Sequence, residues 1–475
     1  MRLLPPCLRK LHEEWKAKKL HDSLVRPSQH IPFETEFIVD GKKITYETVL
    51  RRYARLVLKV GINLQPGGNI IMTGPMEHFF SQSGEKSYAA IFAEEAYAMG
   101  AKYIYMMPAD AQSSLYRIEK SDTENLSYLP AFYKTLYDEI AKGGEAWSRV
   151  AVGPAPEMPA ARGMDAAEEA ARRALVSSAA EIAEEAYTEK VMSKLMPWNV
   201  TIVPTFEYAQ RFMADSGDPP LVKLYRTWET YIKVIGLHHD DPVAFWQKVN
   251  DTCKGRSAKL NELKPRKLHF TSKKSGTNLE VELVQDAGWT ASSEAKTPEG
   301  NSFMANIPSF EVYTSPHRMQ VNGILRTTKP VIVDGKKVEG LWLEFKDGVV
   351  TKFGADKNVE VFQAKFDKDE NFRRAGEIAL VGKDSPINQL GRLFLTTLFD
   401  ENATIHLALG KAYPLKLAKL DKGARVAAGL NDSKYHVDLM FGADDMSVVA
   451  YTDAGHTAIL MQNGSFTNFF DDPIP

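Results

Sequence analysis

Carboxylates and histidines gather in the last third of this chain, in polar segments punctuated by turn-forming residues. Glu311 lies in NIPSFEVYTSPHR, Glu377 in GEIALVG, Glu401 and His406 in FDENATIHLALGKAYP, and His436 with Asp438 in KYHVDLMFG. Four carboxylates and two imidazoles are the ligand set that a pair of divalent cations needs. Imidazole suits zinc or cobalt, and a carboxylate can bridge two cations while offsetting their charge. The first two thirds of the chain hold no comparable cluster. These residue types point to a two-metal hydrolase.

Each segment taken alone also has a plainer reading. His436 and Asp438 are two apart, so in a strand they face one side and present an imidazole and a carboxylate to a common point. A core histidine satisfied by its neighbouring aspartate would look the same. Glu377 leads the run EIALV and shares a strand face with Ala379 and Val381, which also suits a solvated strand end. Glu311 sits between Phe310 and Val312, and a carboxylate among apolar residues must be exposed, paired or metal-bound. In FDENATIHLALG, Asp400 reads as a helix cap, Glu401 as a first-turn acid and His406 as a later position in a helix ended by Gly410. An offset of five from Glu401 to His406 does not align them on one helix face. Tyr413, just past that glycine, could lend a phenolic hydrogen to charge developing nearby.

The elements that must position these residues fall into two textures. The hairpin-like FETEFIVDGKKITYE turns at Asp40-Gly41. Strand and helix then alternate: NIIMTG, YAAIFAEEAYAMGA, KYIYMMP, LPAFYKTLYDEIAKGG, RVAVGP, a long helix capped by Asp165 with Glu168 three residues on, and WNVTIVPT. Such alternation predicts a parallel sheet covered by helices. A helical section from Pro219 to Pro265 follows, its last helix opened by Asp241 and Pro242. Beyond Pro265 come period-two segments with hairpin turns at Asp334-Gly335 and Asp347-Gly348. The expected organisation is an N-terminal extension over residues 1–48, an α/β domain over 49–265 and a mixed α+β domain, rich in antiparallel strands, over 266–475.

Composition narrows the class. A chain of 475 residues with a formal net charge of -2 carries no electrostatic footprint for nucleic acid or anionic lipid. Cys7 and Cys253 have no second cysteine at metal-ligand spacing and make no disulfide framework, which fits a reducing cytoplasm. The opening MRLLPPCLRKLHEEWKAKK is too briefly apolar for a signal peptide, and no run reaches the length of a membrane span. A cytoplasmic protein is expected, with neither nucleic acid nor membrane as partner. The glycines of Pro66-Gly67-Gly68 precede a strand and lack a dinucleotide or phosphate-loop spacing, so no organic cofactor is expected. His238-His239-Asp240-Asp241 points its side chains in different directions, and Asp241 is better read as a helix cap. His317 could line the site or be a surface turn residue.

The series NIPSFEVYTSPHR, GILRTTKP, VEGLWLEFKDG, GEIALV, DSPI, TLFDENATIHLALGKAYP and GLNDSKYHVDLMFG, in this order, resembles the thermophilic-type metallo-aminopeptidases, the group of aminopeptidase T, aminopeptidase S and PepS. The likeness runs from about Leu50 to the C-terminus. It implies that Glu311, Glu377, Glu401, His406, His436 and Asp438 hold two metal ions, with Glu377 bridging. It also implies that Tyr413 is an active-site tyrosine and that Glu401 or Glu377 handles the proton of the attacking water. Zinc or cobalt is the implied metal, with manganese or magnesium as alternatives. Release of one N-terminal residue from short peptides and a homodimer are implied as well. Phe310-Glu311 stands where such proteins often have two adjacent glutamates, and the interval from Tyr413 to His436 is slightly short. Two alternatives stay open on sequence: a two-metal amidohydrolase acting on a non-peptide amide, and a catalytically silent scaffold.

Overall fold

The computed structural model describes residues 30–80, 84–142, 145–154, 160–333 and 336–470. The basic opening segment, Cys7 and the turn Asp334-Gly335 lie outside them. The chain forms two compact units, one running to Val243 and taking in Ala295–Ile307, the other made of Ala244–Glu294 and Pro308 onward. The change of texture in the sequence at Pro265 therefore falls inside the second unit. The helix Pro242–Leu263 has the composition of the helical section before it, which is why sequence grouped it there.

The first unit is built on four parallel strands in the spatial order Tyr103–Ala109, Asn69–Pro75, Trp147–Gly153 and Trp198–Ile202. Ile70, Ile71, Met72, Val150 and Ile202 are buried, as strands covered on both faces require. Ser87 caps the helix Tyr88–Ala98 by accepting from the Ala90 N–H. Asp165 caps the long helix Ala166–Met192 by accepting from the Ala167 and Glu168 N–H groups. The segment Ala295–Ile307 reaches this sheet at its edge, where the Val200 N–H donates to Ala305 and Asn306 pairs with Val200 in parallel. The Asp40-Gly41 hairpin is present, with φ of 49° and 77° at its turn. It is no loose appendage, because Phe37 stacks on Tyr225 at 4.5 Å.

The second unit carries two large antiparallel sheets beside the two-stranded ribbon of Val331–Val333 and Lys336–Val338. The larger has eight strands and includes the hairpin around Asp347-Gly348. The smaller has five, in the order His436–Met440, His406–Gly410, Ala375–Leu380, Val312–Thr314 and Thr290–Ala291. One prediction fails here. The helix expected from Asp400 to Gly410 stops early: Thr397–Asp400 is helical and Glu401–Ala403 is a 3-10 turn, but His406–Gly410 is a strand. That strand lies between two others with every residue buried, so its apolar run lacks the alternation that marks a half-exposed strand.

Candidate metal centre

Register on the five-stranded sheet gathers five of the six residues expected from sequence, Glu311, Glu377, His406, His436 and Asp438, and leaves Glu401 in a 3-10 turn beside them. Ala408 pairs with Glu377 on one side and Asp438 on the other, while Ala379 pairs with His406 and with Tyr313. Directly opposed residues share a face, and the period of two adds Glu311 and His436 to it. Ala379 and Ala408 are small enough to leave room between the larger side chains. A bulge at Gly376 sets the register of Glu377. A Cβ there would stand 2.5 Å from the carbonyl oxygens of both Gly410 and Lys411, so only glycine permits this approach.

Two triads result. Glu311, Glu377 and His406 bring ligand atoms within 4.8 Å of one another, as do Glu377, His436 and Asp438. Glu377 belongs to both. His406 Nε2 lies 3.3 Å from Glu311 Oε2, and His436 Nε2 lies 3.3 Å from both Glu377 Oε2 and Asp438 Oδ1. Two donors that share a tetrahedral zinc at about 2.1 Å stand about 3.4 Å apart. His436 Nδ1 lies 2.8 Å from the Lys411 carbonyl and His406 Nδ1 lies 3.3 Å from that of Thr404. With Nδ1–H given to a carbonyl, each Nε2 turns its lone pair toward carboxylate oxygen, an arrangement that needs a cation or a proton between. Glu311 Oε1 accepts from Ser292 Oγ at 2.8 Å and Ser309 Oγ at 3.2 Å, while its buried Oε2 has no hydrogen-bond donor. Glu311, Glu377 and Asp438 are only 5%, 5% and 6% exposed, and such a concentration of buried charge demands compensation. The donor set fits divalent cations.

Proton affinities follow from the crowding. Burial raises the Glu311 carboxyl, and Glu377 and Asp438 add to the rise against the opposing pull of His406. Burial disfavours charged His406, yet Glu311, Asp438 and Glu377 overcome it and hold that imidazole above its ordinary value. For His436 burial is likewise outweighed by Asp438 and Glu377. Glu401, in its 3-10 turn, joins neither triad. Burial together with Asp438, Glu311 and Glu377 pushes its carboxyl well up. Tyr413 packs with its ring 5.1 Å from that of His436 and 5.9 Å from that of Tyr313. Burial and then Glu377 and Asp438 keep its phenol protonated.

The sequence matches the family described as "Thermophilic metalloprotease (M29)" over residues 46–466. The chain belongs to this family. This M29 chain is therefore a metal-dependent peptide hydrolase. Aminopeptidase 2 of Geobacillus stearothermophilus is 32% identical over 424 residues, spanning 89% of this chain and 98% of that one. Aminopeptidase T of Thermus aquaticus is 33% identical over 418 residues, 87% of this chain and 97% of that one. The solved structure of wild-type AmpT from Thermus thermophilus superposes with a TM-score of 0.78 at 29% identity, covering 89% of this chain and all of that one.

Other sequence candidates of this M29 chain lie elsewhere. His317 sits against Gly429, and the charged groups around it are Glu282, Arg318 and Arg266, none of them in the triads. His238 packs against His239 with the rings tilted and faces Asp40, while Asp241 caps its helix by accepting from the Val243 N–H. Sequence reading missed Tyr313, Ser292 and Ser309. The period of two from Glu311 was enough to find Tyr313, but nothing local marks the serines.

Proposed function

We propose that this chain is a two-metal aminopeptidase that removes N-terminal residues from short peptides, with Glu311, Glu377, Glu401, His406, His436 and Asp438 as its metal-site residues. The observation that carries the reading is that Glu377 is common to two triads, each with its own imidazole. The names of the relatives, aminopeptidase 2 and aminopeptidase T, support the choice of an exopeptidase. When bound, paired cations would supply a Lewis acid for the scissile carbonyl and a water acidified toward neutrality. Glu311 and His406 would hold one cation, His436 and Asp438 the other, and Glu377, common to both triads, would serve both. Glu401, outside both triads but within their field, would take a proton from the nucleophile and return it to the leaving amine. The protonated Tyr413 phenol beside His436 donates to oxyanion charge as it develops. The carbonyls of Lys411 and Thr404 hold the imidazoles in one tautomer and orientation. Zinc or cobalt in the centre, a homodimer and a cytoplasmic setting complete the proposal.

The test is Glu377→Gln, assayed on aminoacyl amides and by metal analysis. Cleavage should be abolished and metal stoichiometry reduced, with circular dichroism unchanged. Undiminished turnover in that variant removes the assignment. A dipeptide panel run beside its N-acetylated counterparts tests the exopeptidase reading, because blocked substrates should survive intact.

A further inference from the structure

The first unit contains a cavity of about 380 Å³ that no residue of the five-stranded sheet touches. It opens at the carboxyl ends of the parallel strands. Glu77 and His78 follow the strand Asn69–Pro75, and Val203 to Glu207 follow the strand Trp198–Ile202. Chain order reverses on either side of the Asn69–Pro75 strand, whose neighbours are the second and third parallel strands. Crevices outside the carboxyl ends of such sheets, where the order reverses, are where open α/β folds take ligands. The volume lies within the range of small-molecule sites.

The lining divides into an apolar body and an acidic mouth. Phe33, Tyr46 and Trp228 form one wall, with ring centroids 6.4 Å apart for the first pair and 5.1 Å for the second. Glu77 and Glu207 stand exposed at the rim, and neither has an ion pair among the described residues. Their charges act on each other: burial raises the Glu77 carboxyl and Glu207 raises it further. Lys86, the cation of the lining, is held by Glu94 at 2.7 Å, and His30 is paired with Glu85. His78, 5% exposed, is kept neutral by burial, with its pKa down at about 4, and its Nε2 has no hydrogen-bond partner. The cavity thus pairs an aromatic wall with uncompensated negative charge and a buried, unused acceptor.

We propose that this cavity is a second ligand site, for a small molecule with an aromatic or branched apolar body and a primary ammonium group. The ammonium meets Glu77 and Glu207, relieving their repulsion, and the body packs on the half-buried rings of Phe33 and Tyr46, with the buried Trp228 backing Tyr46. The site is independent of the metal centre and of the hydrolytic reading.

A direct test is a crystal of the full chain soaked with 4-bromophenethylamine, which has no amide bond to cleave. Bromine anomalous signal is expected in the cavity beside the ring of Tyr46. Calorimetry with phenethylamine and with the uncharged 2-phenylethanol supplies the second measurement. The amine should bind at least about tenfold more tightly, and Glu77→Gln with Glu207→Gln should erase that preference. Both substitutions are at exposed positions, and an unchanged melting temperature confirms the fold. Running the titration after chelation separates this site from any amine binding at the metals. Absence of bromine from the cavity, or equal affinity for amine and alcohol, overturns the proposal.

Discussion

At the scale of single residues, Tyr413 separates binding from chemistry. Its phenol is protonated and packs on His436, yet its oxygen belongs to neither triad. Tyr413→Phe should therefore lower kcat by about 10²–10³-fold, the cost of one lost oxyanion donor, while KM and metal content stay near their starting values. Steady-state kinetics with metal analysis checks this, and an undisturbed kcat would place the tyrosine outside the reaction. The clustered carboxylates and imidazoles were legible because buried chemistry restricts residue type: few reasons exist for Glu311 to sit between Phe310 and Val312. Their supports were not legible. Ser292 reaches Glu311 and Lys411 reaches His436 through contacts between distant segments, and no spacing along the chain encodes those meetings.

At the scale of elements, the site depends on the registers of four strands, and Gly376 is where one register is set. Gly376→Ala would force a methyl against two backbone carbonyls 2.5 Å away. The Gly410–Lys411 backbone must then retreat and take the acceptor of His436 Nδ1 with it. Metal affinity is expected to fall by about 10–100-fold, as when a supporting hydrogen bond to a ligand is lost; zinc titration against a chelator measures it. The hairpin at Asp40-Gly41 was readable because left-handed backbone selects those residues. The strand His406–Gly410 was misread as helix because a central strand loses the period of two, and Asp400 with Glu401 imitates a helix start. Its true neighbours, Glu377 and Asp438, are remote in sequence.

At the scale of the whole molecule, the same carboxylates and imidazoles tie stability to pH. The folded-state value of Glu401 is well above its ordinary 4.5. The stabilisation this provides is complete below 4.5 and is lost as pH rises through the elevated value. His406 and His436, raised above their ordinary 6.5, act in the same direction, complete below 6.5 and lost above it. Asp438, lowered from 3.8, acts oppositely but only in acid. Chelated protein should therefore melt a few degrees lower at about pH 8 than at about pH 6. Saturating zinc should abolish that slope, because cation binding requires the deprotonated ligands. Melting curves across this range check it, and a chelated protein that gains stability with pH would contradict the charge balance described. Two textures of sequence announced two architectures, a parallel sheet with helices and antiparallel sheets. The excursion of Ala295–Ile307 back to the first unit was invisible, since it pairs through the edge of a sheet completed long before it in the chain.

That excursion has a consequence for how the protein is made. The Val200 edge finds its partners at Ala305, Asn306 and Ile307, so a nascent chain leaving the ribosome cannot close its first unit until the leading segment of the second, Ala244–Glu294, has been translated. Neither half can be excised by a single cut, and a fragment ending at Val243 would emerge with an open sheet edge available to any passing strand.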